Sequence, residues 1–321
     1  QARDVHAGMA PGLPPQFQIG GRLAESGCDV VILSLIDRSD EFSGNSNIRY
    51  TNQPHREFIY RMAFEMGRHV IGYEVQKVLA AIDARRPADL AEPGSRENIA
   101  VVGVGEGGLL AMLAAAVDPR IDACLVSGYF QSREGVWHEP IYRNVWGQLT
   151  EFGDAEVASL IAPRRLIIEA CPAPEVDGPP AARQGRSGGA APGRIATPSV
   201  DAVKYEIDRA RQHFESLDSG ENIALVVSDD DYAGSVDALE HLLGTLGLGG
   251  LKPSNELTES SVDEDRIQRR QQRQVAELDR FTQALMHRSD KVRDRFWSSV
   301  DRSSVEACVE SLEFYRDYVY D

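Results

Sequence analysis

The chain has few cysteines, and none of them is arranged as a metal or disulfide motif. Only four of its 321 residues are cysteine, and no two of these form a C-x-x-C pair. A disulfide framework or a zinc site is therefore not indicated. Two of the four, Cys28 and Cys124, stand beside apolar runs, where a buried free thiol is expected.

Long apolar runs and an excess of basic residues are also missing. No run of about 18 apolar residues occurs, so no membrane span is predicted. The formal net charge is -16 and the sequence pI is about 4.9, which argues against a nucleic-acid partner because phosphate recognition needs a concentrated basic face. The chain opens on QARDVHAGMAPGLPPQ, without an initiating methionine or a signal-peptide pattern. We expect an upstream region, and the compartment is not predicted.

Apolar, β-branched runs predict the strands of an α/β fold. Because these runs are uniformly apolar and helical segments separate several of them, we expect buried parallel strands in a doubly wound, mainly parallel sheet. The predicted strands are 28–35, 99–104, 123–129, 165–170 and 223–229. This α/β domain is expected to span residues 1–250.

Helical periodicity is strongest in two places. Residues 55–85 keep a helical apolar period, which predicts a long helix between the first two strands. In it, His55 and His69 either reach a cleft or belong to a ladder of intrahelical ion pairs. Beyond residue 250 the chain is charged and almost free of strand patterns, so residues 251–321 are predicted to form a helical extension. Residues 172–198 hold six prolines and five glycines, which predicts a long loop or flap.

The six residues Gly103-Val104-Gly105-Glu106-Gly107-Gly108 allow two interpretations. They match the dinucleotide fingerprint G-x-G-x-x-G between a strand and a helix. However, no carboxylate for a ribose ends the next strand, and a strand and a long helix come before the motif. The same residues match the G-x-S-x-G nucleophile elbow of an esterase, with Gly105 in the place of the serine.

The second interpretation fits the surrounding sequence better. The runs GRHVIGYEVQKVLAAID, GGLLAMLAAAVDPRIDACLVSGYF and LIAPRRLIIEA resemble the α/β-hydrolase superfamily, in its acetylxylan-esterase-like and dienelactone-hydrolase-like branch. The resemblance covers roughly residues 16–250. It implies a sheet of α/β-hydrolase type and hydrolysis of carboxyl esters, with acetylated carbohydrate as an expected ligand. It also implies that the sheet has a further strand placed in space between the strands 28–35 and 99–104. Since no segment of this sequence ahead of 28–35 could form that strand, either the sheet is trimmed or its first three strands lie upstream. The second is favoured because removing a central strand leaves two unpaired edges.

The residues depart from this family at the catalytic positions. Gly105 has no side chain and cannot attack an ester. Glu106 follows it and is either a substitute base or nucleophile, or an acid that stabilises a helix start. The loop after 223–229, where the family has its histidine, reads SDDDYAGS, and His241 lies farther on in a helix. The family has the acid of its catalytic triad in the loop after the strand 165–170, and the candidates there are Glu169, Glu175 and Asp177.

Carboxylates at the carboxyl ends of the predicted strands are the remaining chemical feature. We expect them to share one rim, where open α/β sheets bind ligands. The members are Glu106, Glu169, Asp177, Asp229, Asp230 and Asp231. A rim of this kind could bind a cation or sugar hydroxyls, or remain solvated. No histidine pair of metal-ligand spacing supports a metal, so no cofactor or metal is predicted.

The sequence therefore predicts a degenerate α/β-hydrolase domain that serves as a non-catalytic binding or scaffolding module. Its partner would be a carbohydrate or another domain of a longer chain. One alternative is an esterase that uses Glu106, Glu169, Asp177 or Asp231. The other is a nucleotide-binding or metal-dependent enzyme.

Overall fold

Four of the five predicted strands form the central sheet of the computed structural model, which describes residues 12–45, 47, 49–85, 97–253 and 263–320. We number only the strands of this sheet. They are β1 (Ala100–Val104), β2 (Ala123–Ser127), β3 (Arg165–Ala170) and β4 (Ile223–Val227). The strands are adjacent in chain order and all parallel, and Val102, Leu125, Ile167 and Ala224 lie side by side across the sheet.

Helices precede, connect and follow these strands. Their bounds are α1 (Ile19–Glu25), α2 (His55–Phe64), α3 (Val70–Arg85), α4 (Glu106–Val117), α5 (Asp154–Ser159), α6 (Val200–Glu215), α7 (Val236–Thr245), α8 (Glu264–Phe296), α9 (Val305–Ser311) and α10 (Glu313–Tyr320). Short 3-10 turns occur at Pro15–Phe17, Val136–His138, Ile141–Arg143, Gly220–Asn222 and Trp297–Ser299.

The sheet is buried on both faces, because alternate side chains of each strand enter different cores. Cys124 and Val126 of β2 pack with α4, α5 and α6 on one face. Leu125 of β2 and Ile167 of β3 pack with α1 and α7 on the other. Fully burying each such aliphatic side chain contributes roughly 1.5–3 kcal/mol. The predicted fold class is confirmed: an α/β protein with a parallel sheet between helices and a helical carboxy-terminal part.

The prediction of a strand at 28–35 is wrong. This segment is not paired with any described strand, and side chains from helices hydrogen-bond the backbone at its end. Glu74 accepts the Ile36 N–H at 2.8 Å, and Gln271 donates to the Leu35 carbonyl at 2.7 Å. The segment is only partly buried: Cys28, Val30 and Leu35 pack against the cores, whereas Val31 is 54% exposed. The apolar pattern alone cannot show whether a partner strand is present.

The long helix predicted over 55–85 is interrupted. α2 ends at Phe64 and α3 begins at Val70, with Gly67 between them at φ +63°. A left-handed backbone of this kind ends a helix and favours glycine. The predicted ladder of intrahelical ion pairs forms only in part: Arg61 pairs with Glu57 within α2 at 2.8 Å rather than with Glu65. His69 lies between the two helices and contacts the Asn144 carbonyl at 2.9 Å.

The segment 172–198 is irregular, apart from a two-residue antiparallel ladder between Val176–Asp177 and Arg194–Ile195. Its outer part is bound to the loop before α2. The Arg183 guanidinium donates to both carboxylate oxygens of Asp40 at 2.7 Å, and Asn52 donates to the Pro180 carbonyl at 2.8 Å. We call residues 172–198 the flap. These bonds hold it over the carboxyl end of the sheet.

The helical extension begins against the domain and then leaves it. α8 has 33 residues and is therefore about 50 Å long. Gln271, Val275 and Thr282 are its buried residues, and Phe281 meets the Tyr73 ring edge-on. Within the described residues, no helix is long and apolar enough to cross a membrane.

Candidate functional site

The turn between β1 and α4 has a conformation that favours glycine. Gly105 lies between Val104 and Glu106 with φ +54° and ψ -113°. Its N–H donates to the Ser127 carbonyl at 2.9 Å, and its own carbonyl accepts from Leu109 at 3.2 Å. A strained residue at a sharp strand-to-helix turn is the backbone feature of a nucleophile elbow. Here the turn carries no side chain.

The glycines on both sides of this turn allow α4 to approach the sheet. A Cβ on Gly103 would lie 1.9 Å from the Gly107 carbonyl oxygen. A Cβ on Gly108 would lie 3.1 Å from the Cβ of Tyr129. Close helix–strand packing therefore accounts for glycine at positions 103 and 108 without a pyrophosphate.

The flap covers the position where a nucleophile would stand. A Cβ on Gly105 would lie 3.6 Å from the Cβ of Ala173 and 3.8 Å from Cδ of Pro174. These are ordinary packing distances, so there is room for one methyl group.

Glu106 begins α4 and is surrounded by arginines. Its Oε1 accepts from Arg56 at 2.8 Å, and its Oε2 accepts from Arg38 at 2.9 Å and Arg143 at 3.0 Å. Glu106 is 7% exposed. Burial by itself would raise the pKa of this carboxyl group, but Arg56, Arg143 and Arg38 lower it to about 2. Glu106 is therefore ionised at neutral pH, and both oxygens are engaged by protein groups.

The arginines around Glu106 extend into a buried ionic network. Arg56 also reaches Glu74 at 3.3 Å, and Arg143 reaches Glu139 at 3.0 Å. Glu139 in turn accepts from Arg133 at 2.9 Å. The network connects α2, α3, α4 and the segment after β2. Because a buried charge is costly without a partner, these elements have to stay together for each charge to remain paired.

Glu169 is the last residue but one of β3, and its carboxylate caps a helix. Its Oε2 accepts the Gly234 N–H at 3.0 Å and its Oε1 accepts the Ser235 N–H at 2.8 Å, immediately before α7. The carboxylate is 1% exposed. It satisfies two backbone donors at a helix amino terminus, where negative charge is favourable.

We predict that Glu169→Gln lowers the free energy of unfolding by about 1–3 kcal/mol, because one buried N–H then faces the donor end of an amide. Chemical denaturation measures this difference. Asp177→Asn, at an exposed carboxylate, is the control and should change stability by less than about 0.5 kcal/mol. Equal effects of the two substitutions would contradict the capping role.

The other candidate acids of the predicted rim are exposed. Asp177 lies in the flap ladder, and Asp229, Asp230 and Asp231 follow β4 on the surface. Glu106 and Glu169 are directed to the arginines and to α7. Among the described residues, no group of three His, Cys, Asp or Glu side chains could hold a metal ion. The shared rim stays a prediction, and its two buried members, Glu106 and Glu169, are held by internal donors.

His55 and His241 both contact other protein groups. His55 Nδ1 lies 2.7 Å from Asp37, and its Nε2 accepts the Phe42 N–H at 2.8 Å. This pairing resembles an acid–histidine dyad, but the nitrogen that would take a proton is already used. His241 contacts Arg165 on the exposed side of α7, as its helical position predicts.

Sequence reasoning missed the arginines of the network. Arg38, Arg56 and Arg143 come from three separate segments, and no spacing relates them to Glu106. The one signal of the network in the sequence is the high density of charged residues in 55–69. Their spacing predicts pairs within a helix instead of contacts with Glu106.

Comparison with known proteins gives matches only among solved structures. No protein-family model matches the chain, and no curated protein matches it.

Similar solved structures include carbohydrate esterases. One is a Bacteroides fragilis protein assigned as an acetyl xylan esterase, with 13% identity over 79% of this chain and 64% of that one, and a TM-score of 0.47. Another is a carbohydrate esterase family 15 glucuronoyl esterase from Caldicellulosiruptor kristjansonii, with 15% identity over 61% of this chain and 55% of that one, and a TM-score of 0.40. The glucuronoyl esterase catalytic domain of Hypocrea jecorina is 16% identical over 63% of this chain and 58% of that one, with a TM-score of 0.39. The chain thus covers 55% to 64% of these structures. Carbohydrate esterases are the class of protein that the sequence resembles.

Proposed function

We propose that the chain is a non-catalytic binding or scaffolding module built on a framework of α/β-hydrolase type. The turn at Gly105 is the observation that carries this proposal. It has the backbone of a nucleophile elbow, no side chain to attack a substrate, and a cover formed by Ala173 and Pro174. Acyl transfer needs an activated nucleophile and open space for a carbonyl group.

The state of Glu106 supports the same proposal. A carboxylate acting as base or nucleophile needs a free oxygen and a pKa near the working pH. The pKa of Glu106 is lowered to about 2, and the arginines occupy both oxygens. The alternative of an esterase that uses Glu106 is therefore disfavoured.

The geometry also disfavours nucleotide binding. The glycines that complete the fingerprint are required by contact between α4 and the sheet, and the flap lies over the turn. A pyrophosphate needs that turn to be open. For the proposed module, a carbohydrate or another domain of a longer chain remains the expected partner.

Hydrolysis of p-nitrophenyl acetate tests the proposal. We expect no rate above the uncatalysed background from the parent protein, from Glu106→Gln or from Gly105→Ser, because none of them has an activated nucleophile next to open space. Each protein is first shown to be folded by far-UV circular dichroism.

Two results would be informative against this expectation. Activity of the parent that Glu106→Gln abolishes, while the fold is retained, would overturn the proposal and establish a carboxylate-based site. Activity only in Gly105→Ser would show that the flap leaves room for a substrate and that the nucleophile alone is missing.

A further inference from the structure

The apolar stripe of α8 continues beyond the domain with the spacing of a coiled coil. Alternate steps of three and four residues connect Val275, Leu278, Thr282, Leu285, Ser289, Val292 and Phe296. This 3.5-residue period is the pattern of helices that pack against another helix. We call these seven residues the seam.

The domain covers only the first part of the seam. Val275 is 3% exposed and Thr282 is 4% exposed, whereas Val292 is 67% exposed. Leu285 and Ser289 are half-buried, and Phe296 packs against Tyr315 and Tyr318 of α10. We call Leu285, Ser289 and Val292 the uncovered half of the seam, because the apolar face of a helix is fully buried only where another element lies along it.

The flanks of the uncovered half are basic. Arg288 and Arg295 lie beside Leu285 and Val292, on the same edge of the seam by heptad position. Both are exposed. Within the described part of the chain, neither has an acidic partner.

α9 has the complementary features. Val305 and Val309 lie four residues apart on one face and are 74% and 49% exposed. Glu306 and Glu310 stand beside them, one turn apart, and both are exposed. Within the described residues, neither glutamate has a basic partner. The exposure of Val292 and Val305 shows that α8 and α9 of one chain do not cover each other.

We propose that two copies of the chain associate through the extension, with α9 of each copy packed on the uncovered half of the seam of the other. The apolar face of α9 would bury Val292, and its glutamates would lie against Arg288 and Arg295. A two-fold arrangement forms both contacts at once, since each copy carries one basic and one acidic surface. The charge complementarity within one chain favours a second copy over an unrelated partner.

Charge reversal tests this dimer. The molar mass of the full chain is measured by sedimentation equilibrium, for the parent and for Arg288→Glu with Arg295→Glu. We expect the parent to have twice the monomer mass of 35.3 kDa, and the variant to dissociate at least tenfold more readily because its new acids meet Glu306 and Glu310. Arg273→Glu with Arg280→Glu makes the same change in charge on the opposite side of α8, and this control should remain a dimer.

The reciprocal change makes the test specific. Glu306→Arg with Glu310→Arg should also dissociate, and combining all four reversals should restore the dimer. A monomeric parent would overturn the proposal. So would a quadruple variant that stays monomeric while folded, or an equal effect of the control. A dimer that the reversals leave unchanged would place the interface elsewhere and would also overturn it.

Discussion

Replacing Glu106 by Gln is expected to lower the free energy of unfolding by about 3–5 kcal/mol, because removing one partner leaves buried charges uncompensated. The side chains of Arg56 and Arg143 are 1% and 5% exposed, so water cannot replace the lost carboxylate. The glutamine amide also offers one acceptor where the carboxylate offers two, and its NH₂ group would face guanidinium donors. The loss is large for a domain whose net stability is of order 5–15 kcal/mol.

Urea denaturation of parent and variant measures this loss. Glu134→Gln, at an exposed glutamate, is the matched control and should change stability by no more than about 0.5 kcal/mol. A decrease below about 1 kcal/mol for Glu106→Gln would contradict the structural role of the ionic network.

The same measurement against pH gives a second check. The folded state lowers the pKa of Glu106 from the ordinary 4.5 to about 2. A carboxyl group of this kind stabilises the fold above its unfolded pKa, and the contribution is lost as the pH falls toward the folded pKa. We therefore expect the difference between parent and Glu106→Gln to be full above about pH 5 and to narrow between about pH 4.5 and pH 2.

The apolar runs of the sequence predicted the four strands of the central sheet correctly. The apolar runs of β1, β2, β3 and β4 indicate parallel strands because both faces of such a strand are buried. The run 28–35 has the same composition, but a strand also needs a hydrogen-bonding neighbour. In the described structure helix side chains such as Glu74 and Gln271 bond its end instead. The apolar composition of 28–35 therefore shows neither full burial nor strand pairing.

For the candidate site, the sequence predicts the course of the backbone but not the side chains that surround Glu106. The strand, the tight glycine turn at Gly105 and the following helix can be predicted from the sequence, because they follow one another in the order of an elbow. The environment of Glu106 cannot be predicted in this way, since Arg38, Arg56 and Arg143 lie 68, 50 and 37 residues away in the chain. The presence of a strand upstream of the described sheet stays a prediction.

The second large effect is expected at Gly103. Gly103→Ala would place a Cβ 1.9 Å from the oxygen and 2.1 Å from the carbon of the Gly107 carbonyl. Both atoms belong to the backbone of α4, so a rotamer change cannot relieve the contact. The helix would have to move off the sheet, which disturbs the core on that face. We expect a loss of about 4 kcal/mol or more, at the upper end of what one substitution causes.

Gly107→Ala is the control for this prediction, and the pair separates packing from ligand binding. Gly107 lies inside α4, and a Cβ there would meet no heavy atom within 4 Å. Since alanine is the better helix former, Gly107→Ala should stabilise the protein by about 0.4–1 kcal/mol. Urea denaturation measures both variants without any added ligand. If both are tolerated equally, close packing does not explain glycine at position 103, and the dinucleotide interpretation of the motif regains support. Opposite signs would show that contact between β1 and α4 requires this glycine.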